Sequence, residues 1–216
     1  MFKIKVENFR HRVTLWKQEL KEHKGVIFLS VCLFIIANVI NHIAGTYADR
    51  IAYVSVTDLM LDILPPMDLS FIFVYGYIVI LVTLFAYPLF FNVRKLHSTI
   101  GQFSLLVLIR SFFIILTHLK APFDAVRGNL PLIYSVFSFK NDLFFSGHTS
   151  IAFLGFLLFR KEKIGIFFLI ASFAMAFIVL AMHLHYSIDV FAAFFITYGC
   201  YKIGNFVFDK INYNPK

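Results

Sequence analysis

Only two cysteines, Cys32 and Cys200, occur in the 216 residues, both inside long apolar runs, and they give no sign of a disulfide framework or a zinc site. Charged residues make up just 15% of the chain. No glycine-rich phosphate loop, internal repeat or flexible linker stands out, which leaves one compact domain without nucleotide-binding or repeat signatures. What the chain has in quantity is apolar surface: 60% of its residues are hydrophobic, 29 of them phenylalanine, and its mean hydropathy is +0.80. No soluble fold of this size buries that much apolar surface, so the bilayer must be its solvent.

Apolar runs able to cross about 30 Å of hydrocarbon fall near 25–45, 70–91, 101–119, 146–159, 164–182 and 187–208. The expected fold is therefore all-α: a six-span transmembrane helical bundle. The fourth run is short before Arg160-Lys161-Glu162-Lys163 and is expected to extend outward as helix through Leu143 to Phe145. Segments on the amino-terminal side of the membrane (1–24, 92–100, 160–163 and the tail from Tyr201) carry 15 Lys and Arg, against 4 on the opposite side (46–69 and 120–145). By the positive-inside rule both termini are expected in the cytoplasm. The net charge of +8 then reflects topology rather than nucleic-acid binding.

Residues 1–24 place Phe2, Val6, Phe9, Val13, Trp16 and Leu20 at helical spacing amid seven basic residues. This pattern predicts an amphipathic interfacial helix on an anionic cytoplasmic leaflet; a plain basic topology anchor is the simpler alternative. The chain thus divides into this helix (1–24), a six-span domain (25–208) and a cytoplasmic tail (209–216).

Charge inside a membrane is expensive unless paired or wetted, so polar residues within the runs are candidates for function. Arg110 lies in the middle of the third run, and Thr117, two turns further out on the same face, leads to His118 and Lys120. Arg110 either binds an anion or pairs with a carbonyl or an acid of another span. Ser146-Gly147-His148-Thr149 opens the fourth run, and His185-Tyr186-Ser187-Ile188-Asp189-Val190 opens the sixth. Gly147 lets the backbone approach a ligand, and free N–H groups at a helix start favour an anion. Asp189 follows His185 by one helical turn, where a carboxylate accepts the ring N–H, fixes the tautomer and stabilises the imidazolium. Topology puts both histidines on one outer face, and two histidines with an orienting acid suffice for nucleophilic phosphoryl chemistry. A zinc site built from His148, His183, His185 and Asp189 is the rival reading. His183 and His185, two residues apart, diverge on a helix, so no metal and no other cofactor is expected.

Asp142-x3-Ser146-Gly147-His148-Thr149 and His183-x-His185-Tyr186-Ser187-x-Asp189-Val190 resemble the two catalytic motifs of the sphingomyelin synthase family, a branch of the type-2 phosphatidic acid phosphatase superfamily. Arg110-x6-Thr117 resembles that family's third-span segment, and Pro65-Pro66-Met67-Asp68 its proline-rich motif. Lys140-Asn141 stands where the family has Cys-Gly. The resemblance implies that His185 is the nucleophile on lipid phosphorus, that Asp189 orients it, and that His148 serves as acid and then base. It also implies a phospholipid donor and a lipid alcohol acceptor, ceramide or diacylglycerol. Arg110, Lys120, Arg127, Ser146, Gly147 and Tyr186 are then expected to bind phosphate, with Asp142, Thr117 and His183 in support.

The phosphatases of the same superfamily carry Lys-x6-Arg-Pro, Pro-Ser-Gly-His and Ser-Arg-x5-His-x3-Asp. Here Lys120-x6-Arg127 is followed by Gly128, Phe145 replaces the proline before Ser146, and Val179 stands in the arginine position. A monoester carries about −1.5 to −2 charges and needs more cations than a diester, so loss of that arginine favours a diester. Hydrolysis of phosphatidic acid or a similar monoester remains the alternative, and lipid binding without turnover a third. Short loops and a minimal domain fit a bacterial inner membrane with the active site exoplasmic.

Overall fold

The computed structural model describes residues 13–128, apart from Leu15, and 139–211, with side chains described to residue 208. Seven helices carry the described chain: α1 (Lys24–Ile51), α2 (Leu59–Ile63), α3 (Ser70–Phe91), α4 (Leu96–Leu116), α5 (Gly147–Phe159), α6 (Lys163–Ala181) and α7 (Ser187–Ile211). A short helical stretch, 16–22, precedes α1, and one 3-10 turn, Val93–Lys95, leads into α4. The only β-type pairing among the described residues is a parallel bridge between Val54 and Leu119.

Five stretches are long and apolar enough to cross a membrane: α1, α3, Val93–Leu116, α6 and Ser187–Phe208. Large apolar side chains face outward on them, as Phe195 does at 78% exposure, an arrangement suited to lipid as solvent. The fourth apolar run forms a helix of only 13 residues, Gly147–Phe159, about 20 Å at 1.5 Å per residue. The expected extension through Leu143–Phe145 does not form. Arg110 takes the carbonyls of Asp142 and Phe145 as acceptors, and Ser146 caps the helix with its Oγ toward the Thr149 N–H. Leu143 and Phe145 are buried in the core instead of adding a turn. The third run also ends earlier than expected, at Leu116; Thr117 is its extended C-cap residue.

Close helix packing rests on small side chains. Ser30, Ala37 and Ala44 recur every seven residues on the buried face of α1, joined by Gly45 and Ala48, and this face packs against α4. On the α5–α6 hairpin, Gly155 faces the ring of buried Phe168. The turn between these helices is pinned by Lys95, whose Nζ donates to Glu162 Oε1 (2.7 Å) and to Leu158 O (2.9 Å). Burial opposes ionisation of Glu162, but hydrogen bonds from Lys95, Tyr87 and Asn92 prevail and hold its pKa below the ordinary value.

Of the expected interfacial helix, residues 1–12 lie outside the described residues. In the described part the stretch 16–22 docks on the bundle: Trp16 Nε1 donates to Leu89 O (3.0 Å), and buried Glu19 lies 3.2 Å from His97 Nδ1. Leu20, on the expected apolar face, is exposed. At the other end, α7 continues into the expected tail as far as Ile211, and 212–216 lie outside the described residues.

At the end of the bundle away from Glu162, the loops that follow α1, α2 and α4 bond to residues 181–187. Met67 N–H donates to Ala181 O (2.7 Å), and Val126 N–H to Met182 O (2.9 Å). The Tyr186 hydroxyl donates to Lys120 O (2.8 Å) and accepts from Val56 N–H (3.1 Å). Asp58 joins two helices here. Its Oδ1 accepts from Met60 and Leu61 N–H to cap α2, while Oδ2 accepts both the N–H and the hydroxyl of Ser187, the first residue of α7, each at 2.8 Å. Burial alone raises the Asp58 pKa, yet these bonds outweigh it and hold the carboxyl below its ordinary value. The turn that carries His185 is thereby tied down from three sides.

Candidate active site

Helix α5 begins at Gly147, so His148 is its second residue and sits at the mouth of the bundle. Two aromatic rings of α3, one turn apart, hold the imidazole: Phe73 at 4.4 Å and Tyr77 at 4.3 Å between centroids. His185 closes the 182–186 turn, with its Nδ1 3.5 Å from Asp189 Oδ2 in α7. Asp189 is fully buried, and the same Oδ2 accepts the Tyr186 N–H at 2.9 Å. The carboxylate is thus fixed by backbone before it meets the ring. The two motifs also bond directly, since Ser146 N–H donates to Asp189 O at 3.1 Å.

Arg110, 8% exposed, is the bracket beneath them. Its Nε donates to Phe145 O (2.8 Å), Nη1 to Asp142 Oδ2 (3.0 Å) and Nη2 to Asp142 O (2.8 Å). A Cβ on Gly147 would lie 3.0 Å from Arg110 Nε, so the guanidinium passing under the start of α5 would have to shift by a few tenths of an ångström to admit a side chain there.

These groups surround a cavity of about 540 Å³. His148, His185, Arg110, Arg127, Lys140 and Asp142 line its polar end, with Gly147 beside them. Its opposite end is apolar, closed by Phe34, Phe85 and Phe103, whose rings lie 5.2 to 5.9 Å apart. Arg127 Nη2 donates to Lys140 O (2.6 Å), joining the two ends of the loop between α4 and α5. Desolvation lowers the Arg127 pKa, with the Asp49 and Asp142 carboxylates opposing; a guanidinium keeps its charge under such conditions. Asp49 Oδ1 accepts the N–H groups of Lys140 (2.8 Å) and Asn141 (2.7 Å), which fixes the approach to Asp142.

Several expected site residues fall elsewhere. Lys120 is exposed, uses its backbone for pairing, and does not line the cavity. Tyr186 is buried, with its hydroxyl on the backbone of Val56 and Lys120. Ser146 is a helix cap. Thr117, the C-cap of α4, donates to Phe113 O (3.3 Å) and does not line the cavity. His183 is a brace: at φ 53 it places Nδ1 2.7 Å from Asp124 Oδ1 and Nε2 2.7 Å from Leu64 O. Among the described residues no group of three or more His, Cys, Asp or Glu side chains gathers at metal-binding spacing.

Phe73, Tyr77, Asp49 and Asp58 are the neighbours that sequence reasoning missed. Asp58 had a signal, an aspartate directly before the short apolar stretch Leu59-Met60-Leu61, as an N-cap stands. The two aromatic residues had none in a chain with 29 phenylalanines.

No curated protein matches the chain. Residues 141–206, which hold both histidine motifs and the whole of α5 and α6, match the family model described as PAP2 superfamily C-terminal, and this match supports the type-2 phosphatidic acid phosphatase superfamily.

Proposed function

We propose that this chain is an integral membrane lipid phosphotransferase that moves a phosphorylated headgroup from a phospholipid to a lipid alcohol, as its resemblance to sphingomyelin synthases implies. The observation that carries the reading is the cavity itself, with two histidines and two arginines at one end and aromatic side chains at the other. That profile matches a lipid laid with its phosphate at the mouth and its chains toward hydrocarbon. With Nδ1 turned to Asp189, His185 attacks phosphorus through Nε2. The bond from phosphorus to the diacylglycerol oxygen breaks, and His148 gives that oxygen its proton. His148 then takes a proton from the acceptor hydroxyl, whose oxygen displaces His185 from phosphorus. The basic-residue asymmetry of the loops supports an exoplasmic site with both termini in the cytoplasm.

Transfer is preferred to hydrolysis of a monoester on charge. Of the cations at the mouth, Arg110 is already paired with Asp142, and Lys120 is absent from the lining. The remaining pair, Arg127 and Lys140, suits the single charge of a diester better than the nearly doubled charge of a monoester. Phosphatase activity is the second reading, favoured by Arg127, which stands in the phosphatase Lys-x6-Arg spacing and lines the cavity.

The test is purified protein with labelled phospholipid, with and without ceramide or diacylglycerol. Acceptor-dependent headgroup transfer is expected, and it should be abolished in His185→Ala. Inorganic phosphate from phosphatidic acid without transfer would support the phosphatase, and near-full turnover by folded His185→Ala would remove the nucleophile.

A further inference from the structure

Between the charged mouth and the aromatic end, the cavity has a third zone. Helix α1 lines it with Phe34, Asn38 and Asn41, one stripe at helical spacing. Asn41 is level with the mouth, because its Oδ1 lies 3.4 Å from the Oγ of Ser111, the residue after Arg110, whose hydrogen goes to Val107 O. Asn38 lies three residues further in, about 4.5 Å deeper at 1.5 Å per residue. Below it come the rings of Phe34, Phe85 and Phe103. A lipid with its reacting oxygen at His148 would therefore set its backbone, one to four bonds away, against two carboxamides.

The hydrogen-bonding state of Asn38 says what that backbone must offer. Its Nδ2 donates one hydrogen to Phe34 O at 2.8 Å. The other hydrogen and both lone pairs of Oδ1 have no partner among the described residues. A carboxamide inside a membrane is costly unless used. Ester groups of diacylglycerol can only accept hydrogen bonds and leave Oδ1 unmet. A secondary amide beside the reacting hydroxyl donates its N–H to Oδ1 and accepts the free hydrogen of Nδ2 through its carbonyl.

The geometry points to Asn38, with Asn41, as a recognition subsite for an amide-bearing lipid alcohol, selecting it over a diacylglycerol. This rests on the lipid-transfer reading of the cavity and adds to it the residues that choose the acceptor. A site that hydrogen-bonds an amide discriminates against the ester analogue because its own polar groups are otherwise left unpaired.

Two measurements on the full chain test it. The first is the ratio of headgroup transfer to a short-chain ceramide over transfer to a diacylglycerol of matched chain length, in wild type and Asn38→Leu. The second needs no turnover: thermal stabilisation of His185→Ala by each of the two lipids in detergent, with and without Asn38→Leu. Both preferences for the ceramide should fall by about tenfold in affinity or rate ratio when the carboxamide is removed. Asn38→Ala replaces the leucine variant if that fails to fold. An unchanged preference in either background overturns the subsite. Absence of transfer in wild type, together with a binding preference that Asn38→Leu abolishes, would overturn the transfer reading and leave the subsite standing.

Discussion

Replacing Arg110 by methionine should destabilise the protein far more than replacing its ion-pair partner. Arg110 donates to two backbone carbonyls, Phe145 O and Asp142 O, as well as to the Asp142 carboxylate. Arg110→Met strands all three acceptors. Each carbonyl left unpaired away from water costs about 1–3 kcal/mol. The carboxylate side chain keeps 21% of its surface exposed, so cavity water takes over part of the lost interaction. The two carbonyls together cost about 2–6 kcal/mol, and the loss expected is about 3–4 kcal/mol, the lower part of the range for breaking a buried pair by removing one partner. Asp142→Asn, by contrast, leaves both carbonyl bonds intact and still offers an amide oxygen to Nη1; it forfeits only the charge, about 1 kcal/mol.

The asymmetry, about 2–3 kcal/mol, separates two accounts of Arg110. If the residue were simply half of an ion pair, both substitutions would remove the same interaction. As a bracket for the 142–145 loop, it matters chiefly through the carbonyls. Titration with dodecyl sulfate in mixed micelles, followed by far-ultraviolet circular dichroism, reads the stabilities of wild type, both single variants and the double variant. The double variant should be close to Arg110→Met alone, since the carboxylate has nothing left to lose. Equal losses for the two single variants, within about 0.5 kcal/mol, would refute the bracket.

Three further outcomes follow from the geometry. Asp58→Ala should lower stability at pH 6 by about 1–2 kcal/mol, through loss of the α2 cap and of the tie to Ser187. Because the folded pKa is depressed, that contribution is complete above the ordinary aspartate value and fades as pH falls through the folded pKa; the gap between variant and wild type should therefore close below about pH 4, and a gap constant with pH would count against the carboxylate. Tyr77→Leu should reduce kcat about tenfold with little change in KM, while Tyr77→Phe keeps the ring beside His148 and most of the rate; steady-state kinetics on both variants decide. Gly155→Ala drives a methyl into the ring of Phe168 at Cδ1 in a fully buried contact, which should cost about 1–3 kcal/mol of overpacking in the same micelle titration.

What was legible in the chain follows from which forces are written locally. Hydropathy is summed over whole runs, so all six apolar runs are helical, and only the 146–159 run is too short to span alone. The adjacency of Ser146-Gly147-His148 to His185-x3-Asp189 could be inferred because topology alone brings the starts of α5 and α7 to one end of the bundle. Side-chain direction could not. Tyr186 and Lys120 stand in or beside motifs, yet one is drawn into a backbone bond and the other is turned outward by the Val54–Leu119 bridge. Leu143–Phe145 reads as helix on hydropathy, but a guanidinium from another helix outbids the α-helical N–H groups for its carbonyls.

The same competition explains why the site is built as it is. An unpaired cation buried within hydrocarbon is costly. Arg110 meets that demand by giving its hydrogens to the 142–145 loop, and in doing so it shapes the start of α5 where His148 stands. Gly147 fits this arrangement, since a Cβ there would press on Arg110 Nε at 3.0 Å. The local sequence Ser-Gly-His is therefore one half of a packing arrangement whose other half is an arginine 37 residues earlier, and the motif acquires its geometry only when that arginine arrives.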